Sequence, residues 1–220
     1  MIIAFPHPTL RDSDGLLAIG GSLSTERLLL AYQWGIFPWY HEEPILWWWF
    51  APRLMVRTDQ IHISHSVRNT INQKKYSVTI NGDFEGVIHH CASVPRKGQG
   101  GGTWIIPEMI DAYIDLHISG YAHSVEVMEG DQLVGGLYGV AIGKIFFGES
   151  MFSEKSNASK VGFVFFASHL RHLGFEWIDC QQDTPHMRTL GANLVEEADF
   201  LDILRKNQLF TLQHPLPLLT

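Results

Sequence analysis

The chain has 220 residues, of which 45% are hydrophobic and 18% are charged. This is enough for one sizeable core, or for a main domain with a smaller one, and it favours a folded chain over a disordered one. The formal net charge of −7 argues against nucleic-acid binding by the whole surface and restricts any RNA contact to a local basic patch. Two cysteines without CxxC spacing exclude a disulfide framework and fit a reducing compartment.

The first residues and the longest apolar run bear on location. Residues 1–8 lack the basic segment followed by an apolar segment that a secretory signal has. The apolar run from Pro44 to Pro52 is far shorter than the roughly 20 residues that span a bilayer. We therefore expect a cytoplasmic chain with no membrane role.

The first sixty residues are rich in Trp and Pro and contain one clear helix. Ser24 is its predicted N-cap, Glu26 lies in its first turn, and Gly35 ends it. Ordered loop and short strands are expected for the rest. We predict a small N-terminal domain over residues 1–62 and a catalytic domain over residues 63–220.

The second part of the chain alternates between helical and strand patterns. The predicted elements are a helix from Ser64 to about Lys74, a strand over Tyr76–Ile80, a helix over Asp83–Cys91, a helix from Pro107 that ends by Gly120, strands over Ala122–Met128, Leu133–Ala141 and Ile145–Phe147, a buried helix over Asn157–Leu173, and a buried strand over Phe175–Gln181. This order predicts an α+β fold with a mostly antiparallel central sheet, as in acyltransferases whose sheet is splayed. Topology alone gives no function.

The last of these strands carries the sharpest local feature, Ile178-Asp179-Cys180-Gln181. Because side chains alternate along a strand, Asp179 and Gln181 are expected on one face, about 7 Å apart, with Cys180 on the other. A carboxylate is seldom buried without partners. The pair therefore either meets hydrogen-bond donors in the core or lines a cleft, and the sequence leaves both open.

Glu149 raises the same question, because it follows the apolar strand residues Phe146 and Phe147 and a glycine. One interpretation is a strand-end carboxylate in solvent. The other is a cleft shared with Asp179, with apolar walls from Leu137 and Phe146. Such a pocket suits an apolar side chain next to an ammonium group.

Tryptophans and a basic cluster suggest contact with RNA. For any single aromatic a core position is the first expectation, but stacking of Trp on a nucleobase is worth roughly 1–3 kcal/mol. The basic residues that cluster between the N-terminal part and a glycine-rich loop are Arg68, Lys74, Lys75, Arg96 and Lys97. Each alone fits a solvated surface, and together they are the candidate phosphate-contacting patch.

Several other site types do not fit. The histidine pairs join no cysteine or carboxylate set with metal spacing, so we predict no metal. The glycines at 98–102 lack the P-loop pattern. Ser150 and Ser153 have no GxSxG setting.

Long motifs in order along nearly the whole chain resemble the leucyl/phenylalanyl-tRNA–protein transferases. They are residues 15–21, 31–33, 35–39, 102–105, 120–126, 133–140, 147–153, 157–160 and 178–181. The resemblance implies a two-domain enzyme without cofactor, whose larger domain is GNAT-like. We also expect a monomer. Its implied substrates are Leu-tRNA or Phe-tRNA and an acceptor protein that begins with Lys or Arg, which the added residue marks for degradation.

The resemblance also implies roles for individual residues. Trp39 and Trp104 would contact the terminal adenosine, with Tyr113 nearby. The aminoacyl pocket would be lined by Leu137, Phe146 and Glu149, with Ser150 in the same substrate-binding set. Asp179 and Gln181 would form the catalytic centre.

An aminoacyl ester is already activated, so the implied reaction is aminolysis by the acceptor α-amine, and no ATP is required. Our hypothesis is that an ionised Asp179 holds Gln181, whose side-chain oxygen accepts a hydrogen bond from the amine. Whether Asp179 removes the proton directly is left open. We expect Asp179→Ala to abolish transfer while sparing Phe-tRNA binding.

Two alternatives from other classes compete with this function. An acetyl-CoA-dependent N-acetyltransferase would share the architecture but needs a pyrophosphate-binding glycine loop, which residues 149–160 lack. An RNA-binding module without catalysis would explain the tryptophans and the basic cluster. It would leave Asp179, Gln181 and Glu149 without a role.

Overall fold

The computed structural model describes residues 3–94 and 104–209. After a short 3₁₀ turn at Pro8–Leu10, the elements are β1 (Leu16–Ile19), α1 (Thr25–Gln33), β2 (Phe37–Pro38), β3 (Leu46–Trp48), β4 (Arg53–Arg57), α2 (His65–Asn72), β5 (Ser77–Ile80), α3 (Phe84–Ser93), α4 (Pro107–Ile118), β6 (Ala122–Glu129), β7 (Gln132–Ile142), β8 (Ile145–Ser153), α5 (Ala158–His172), β9 (Trp177–Gln181), α6 (Pro185–Arg188), β10 (Asn193–Val195) and α7 (Glu197–Gln208). The chain is therefore a mixed α and β protein.

Local capping explains where three of the helices begin. The Ser24 and Ser64 hydroxyl oxygens accept the backbone N–H groups of Arg27 and Val67, both at 3.4 Å, at the starts of α1 and α2. The Asp83 carboxylate accepts the backbone N–H of Gly86 at 2.9 Å at the start of α3. Each bond satisfies a donor that the first helical turn leaves unpaired, and the predicted starts of these helices are confirmed.

The larger sheet of the described residues has seven strands in the order β10-β4-β9-β8-β7-β6-β5. All neighbouring pairs are antiparallel except β8 and β9, which run parallel. The meander β6-β7-β8 is present as expected. Its last strand is longer than the predicted Ile145–Phe147, because pairing with β7 continues as far as Gly135 opposite Ser153.

The position of β4 bears on the predicted domain organisation. The predicted boundary at residue 62 assigned residues 53–57 to the N-terminal domain. In the structure these residues form β4 inside the larger sheet, between β10 and β9. Four consecutive residues from Arg53 to Val56 are buried, as is typical of a strand covered on both faces. A separate three-stranded sheet, β1-β3-β2, precedes β4. The division into two domains stays a prediction.

Helix α5 covers one face of the larger sheet. Buried residues lie all along it, as its apolar sequence predicts. It approaches β7 so closely that a Cβ on Gly135 would lie 2.8 Å from the Cβ of Ala158. Glycine at this position therefore permits the contact. The helices α1, α3, α4 and α7 contribute to a second apolar core with the N-terminal strands.

Helix length and polarity also bear on membrane insertion. Among the described ranges, no helix is both long and apolar enough to cross a bilayer.

Candidate active site

The site lies where the two parallel strands of the sheet separate. The pairing of β8 with β9 ends at Phe147 opposite Asp179. Beyond that point β8 stays paired with β7, and β9 stays paired with β4 as far as Gln181. The residues that follow, Gly148 and Glu149 on one strand and Cys180 and Gln181 on the other, therefore face a gap in the sheet.

The first of two cavities at this gap is apolar. It has a volume of about 190 Å³, and its walls come from β7, β8, β9, α5 and α6. Leu137 and Phe146, both named as pocket residues from the sequence, line it together with Phe163, Phe166 and Ile178. Phe146 and Phe166 meet edge to face, with ring centroids 4.7 Å apart. Glu149 and Ser150 also belong to the wall, so the sequence-predicted pocket is one continuous space.

The second cavity is more polar and has aromatic walls. Its volume is about 150 Å³, and Trp39, Trp104 and Gln181 line it. Trp39 also packs edge to face on Trp48, with centroids 5.7 Å apart. Both cavities include Gly148, Glu149, Cys180 and Thr184 in their walls. One carboxylate, that of Glu149, therefore borders an apolar space and an aromatic space at once.

Each carboxylate oxygen of Glu149 accepts a hydrogen bond. The Tyr113 hydroxyl donates to Glu149 Oε2 at 3.0 Å, and the Gln181 carboxamide Nε2 donates to Glu149 Oε1 at 2.6 Å. Tyr113 is in turn hydrogen bonded to the hydroxyl of Tyr32 on α1. Because Glu149 is only 8% exposed, the interpretation of a solvated strand-end carboxylate is wrong. The interpretation of a shared cleft holds.

Burial sets the ionisation of this carboxyl group. It raises the pKa of Glu149 from its ordinary value of 4.5 to about 7, and the nearby charge of Asp179 acts in the same direction. Hydrogen bonds from Tyr32, Tyr113 and Gln181 oppose the shift. A carboxyl group that changes charge near neutral pH in a cleft is typical of functional sites. Burial also raises the pKa of both tyrosines, which therefore stay neutral donors.

Asp179 is fully buried and paired with an arginine. Its carboxylate accepts hydrogen bonds from Arg53 Nε at 2.8 Å and from Arg53 Nη2 at 2.8 Å. Both interpretations left open apply to Asp179, because core donors from Arg53 hold its carboxylate and the residue also belongs to the wall of the apolar cavity. The same carboxylate accepts the backbone N–H of Gln181 at 2.8 Å.

The geometry of Gln181 differs from the strand alternation that the sequence suggested. Gln181 has φ +59°, a left-handed conformation in which β9 stops being extended. Its side chain reaches Glu149 and the second cavity, whereas the Asp179 side chain points to Arg53. The two residues are brought together as predicted, but through the Gln181 backbone rather than as two side chains on one strand face.

The basic residues predicted to contact tRNA phosphates lie away from the two cavities or outside the described residues. Arg68, Lys74 and Lys75 are exposed on and after α2 and line neither cavity among the described residues. Lys75 lies 3.6 Å from Glu129. Arg96 and Lys97 lie outside the described residues. Within residues 3–94 and 104–209, no group of three or more His, Cys, Asp or Glu side chains is arranged to hold a metal.

Two residues of the site were missed from the sequence, Arg53 and Tyr32. Arg53 comes directly before the apolar residues Leu54, Met55 and Val56 of β4, and a charged residue in such a buried stretch indicates a buried partner. That signal does not name the partner, which is 126 positions away. Tyr32 carries no distinguishing pattern within α1.

Comparisons with known proteins agree on one family. The family model described as leucyl/phenylalanyl-tRNA protein transferase matches residues 55–205, and the model described as its N-terminal domain matches residues 21–48. A leucyl/phenylalanyl-tRNA–protein transferase of Maridesulfovibrio salexigens is 51% identical over 96% of this chain and 87% of its own length. The one from Desulfatibacillum aliphaticivorans is also 51% identical, over 97% of this chain and 90% of its own length.

Among solved structures, L-PGS from Bacillus licheniformis aligns with a TM-score of 0.44 and 10% identity, over 83% of this chain and 62% of that one. A likeness at this level is too weak to assign the fold. The family follows instead from the match over residues 55–205 and from relatives that share half of their residues over almost the full length. The chain belongs to the leucyl/phenylalanyl-tRNA–protein transferase family.

Proposed function

We propose that this chain transfers leucine or phenylalanine from aminoacyl-tRNA to the N-terminal α-amine of proteins that begin with Lys or Arg. The observation that carries the proposal is the pair of adjoining cavities. An aminoacyl-adenosine has an apolar side chain, an ammonium group and a purine. The apolar cavity suits the side chain, and the Glu149 carboxylate suits the ammonium group. The cavity with Trp39 and Trp104 suits the purine.

In this arrangement the tRNA end is held by stacking and the amino acid by burial. The terminal adenine lies against Trp39 and Trp104, where stacking contributes roughly 1–3 kcal/mol per base. The aminoacyl side chain fills the cavity that contains Leu137 and Phe146. An ionised Glu149 then pairs with the α-ammonium group. These contacts place the ester carbonyl near Gln181, at the junction of the two cavities.

The chemical step is aminolysis of the ester. The acceptor nitrogen bonds to the carbonyl carbon, the bond from that carbon to the ribose oxygen breaks, and the proton lost by the amine passes to the ribose oxygen. Because Gln181 Nε2 donates to Glu149, Gln181 Oε1 is the end of the carboxamide that accepts a hydrogen bond from the amine. A carboxamide is too weak a base to keep the proton, so its role is to orient the amine. The Asp179 carboxylate, enclosed by Arg53, acts by positioning.

The two alternative functions have less support. The acetyl-CoA-dependent N-acetyltransferase is not supported, because the family model and the relatives are named for transfer from aminoacyl-tRNA. An RNA-binding module without catalysis does not account for a buried carboxylate, carboxamide and arginine joined by hydrogen bonds. The sequence supports three further proposals, namely a GNAT-like fold for the larger sheet, a cytoplasmic location and a monomeric state.

A transfer assay tests the function directly. Radiolabelled Phe-tRNA is mixed with the protein and with peptides that differ only in the first residue, which is Lys, Arg or Ala, and with an N-acetylated Lys peptide. Label should enter the Lys and Arg peptides alone. Equal labelling of the Ala peptide would contradict the acceptor preference, and no labelling would contradict the function.

The size of the apolar cavity gives a prediction about selectivity. Leu137→Phe adds bulk to a space of about 190 Å³. We expect the ratio of kcat/KM for Phe-tRNA to that for Leu-tRNA to fall about 10-fold, because the larger side chain loses more room. Using a ratio cancels any fraction of inactive protein. A ratio within twofold of the original would show that Leu137 does not bound the aminoacyl pocket.

The raised pKa of Glu149, about 7, gives a prediction about pH. The carboxylate is mostly ionised at pH 7.5 and mostly protonated at pH 6, whereas an α-ammonium group with a pKa of about 7.7–8.0 stays charged at pH 6. A non-hydrolysable 3′-amide of phenylalanine and adenosine should therefore bind about five- to sixfold more weakly at pH 6 than at pH 7.5, because the gain in ionised Glu149 outweighs the partial loss of ammonium charge at the higher pH. Calorimetry measures this directly.

The matched control is Glu149→Gln, whose binding should be weaker and nearly independent of pH over the same range. If the original protein showed no pH dependence, Glu149 would not pair with the ammonium group. The same raised pKa has a consequence for folding, because the folded state holds this proton more tightly than the unfolded chain. Its contribution to stability is full below pH 4.5 and is lost as the pH rises through about 7.

A further inference from the structure

Arg53 is the first residue of β4 and is completely buried. Its guanidinium meets the Asp179 carboxylate in a forked arrangement. Nε lies 2.8 Å from Oδ1 and 3.1 Å from Oδ2, and Nη2 lies 2.8 Å from Oδ2. Such paired, charge-assisted hydrogen bonds fix the orientation of both groups, which a lysine cannot do to the same degree.

Aromatic rings enclose the other side of the guanidinium. The Phe37 ring of β2 and the Phe200 ring of α7 each lie with their centroid 5.0 Å from its central carbon. Nη1 is buried and has no hydrogen-bond partner among the described residues. Removing two charges from water is costly, and a buried ion pair is weak evidence for stability. The pair is therefore better explained by what it holds in place.

A second hydrogen bond of Asp179 connects Arg53 to Gln181, the residue proposed to orient the amine. Asp179 Oδ1, which Arg53 Nε fixes, also accepts the backbone N–H of Gln181. That bond supports the left-handed conformation of Gln181, which is unfavourable for a residue with a Cβ. The conformation in turn directs the Gln181 carboxamide to Glu149 at 2.6 Å. Each step is a directional hydrogen bond between buried or half-buried groups.

We propose that Arg53 is a positioning residue of the transfer reaction, which orients Asp179 so that the Gln181 backbone is held left-handed and its carboxamide faces the ester. The inference rests on the proposed function and on the catalytic role of Gln181. Arg53 itself lines neither cavity, although it contacts Asp179 in the wall of the first and Phe37 in the wall of the second. Its effect is therefore placed on the turnover step rather than on direct contact with the tRNA.

The test compares Arg53→Met and Arg53→Lys with a control on the same strand. Arg57→Met removes an arginine whose ion pair with Asp59 is exposed. Arg53→Met should lower kcat about 100-fold, because a small displacement of a reacting group has effects of that size, while KM for Phe-tRNA stays within threefold. Arg53→Lys keeps the charge but loses the fork and should recover part of kcat. Arg57→Met should match the original protein.

A spectroscopic readout separates positioning from loss of folded protein. In protein labelled with ¹⁵N-glutamine, the Gln181 backbone amide is identified by its absence in Gln181→Ala. In folded Arg53→Met this resonance should shift and exchange faster with solvent, whereas other glutamine amides stay in place. If both Arg53 variants fail to fold, Phe200→Leu, which removes one ring from the guanidinium, gives the same readouts at smaller amplitude.

The outcomes are distinct. An original protein that transfers no label would overturn the proposed function, whatever Arg53 does. An active original protein together with a folded Arg53→Met of unchanged kcat, or with a Gln181 amide that does not move, would overturn the positioning role. A loss of kcat that only parallels the loss of folded protein, with the Gln181 resonance unchanged in the folded fraction, would overturn it as well.

Discussion

Asp179→Asn is expected to lower kcat for phenylalanine transfer by about 100- to 1000-fold, the effect seen when one hydrogen-bonding group of a catalytic site is removed. Asparagine keeps the shape of the side chain but presents an NH₂ group to Arg53 or to the Gln181 N–H, both of which need an acceptor. The buried guanidinium then loses its counter-charge. Multiple-turnover transfer at saturating Phe-tRNA measures kcat. Filter binding measures the affinity for Phe-tRNA, which should change less than threefold.

The matched control for this prediction is Asp59→Asn. Asp59 also pairs with an arginine, Arg57, but the pair is exposed at 3.0 Å, and exposed pairs contribute about 0–1 kcal/mol to stability. Transfer should be unchanged in this variant. Asparagine is preferable to alanine at residue 179, because alanine would also open a void beside Arg53. An Asp179→Asn protein with kcat close to the original would refute a role for the charge.

Gln181→Ala is the second substitution with a large expected effect. It removes the carboxamide that accepts the hydrogen bond from the attacking amine and donates to Glu149. We expect kcat to fall by about 100- to 1000-fold, again with Phe-tRNA binding nearly unchanged. Gln132→Ala, at the exposed start of β7, is the control for the loss of a glutamine.

Gln181→Glu distinguishes two reasons for that loss. A carboxylate at residue 181 would face Glu149, which now accepts from Nε2 at 2.6 Å. Two carboxylates at such a distance share a proton, because both cannot stay ionised. If transfer needs the donor as well as the acceptor, the variant should be nearly inactive at pH 7. Activity near that of the original protein would show that an acceptor oxygen alone is sufficient.

Local patterns predicted the helices and the meander because those signals lie within a few residues of each other. Ser24, Ser64 and Asp83 each sit directly before the helix they cap. The apolar run of α5 and the turn at Gly130 between β6 and β7 are equally local. No element was predicted after Gln181, although Thr184 caps α6 by the same kind of local pattern. Other elements there are defined by distant contacts. β10, for example, has three residues and is defined by its pairing with β4.

The sequence predicted that Asp179, Gln181 and Glu149 lie together, but it did not predict how their side chains are oriented. Alternation along an extended strand predicts that Asp179 and Gln181 point the same way. That rule ends where the backbone becomes left-handed, as it does at Gln181. The partner that explains the burial of Asp179, Arg53, comes from a strand far away in sequence. Which charges meet across a sheet depends on strand order, and one sequence does not determine that order.

The aromatic rings around Arg53 make the site depend on helix α7, which supplies Phe200. Every side chain assigned to the chemistry precedes residue 182, yet Phe200 of α7 forms one wall around the guanidinium. A shortened protein that stops after β9 would keep all its reactive groups and let water reach the arginine. Water competes for each hydrogen bond and weakens the electrostatic contacts that fix their orientation. Protein engineers who trim this family should regard the last helix as part of the catalyst.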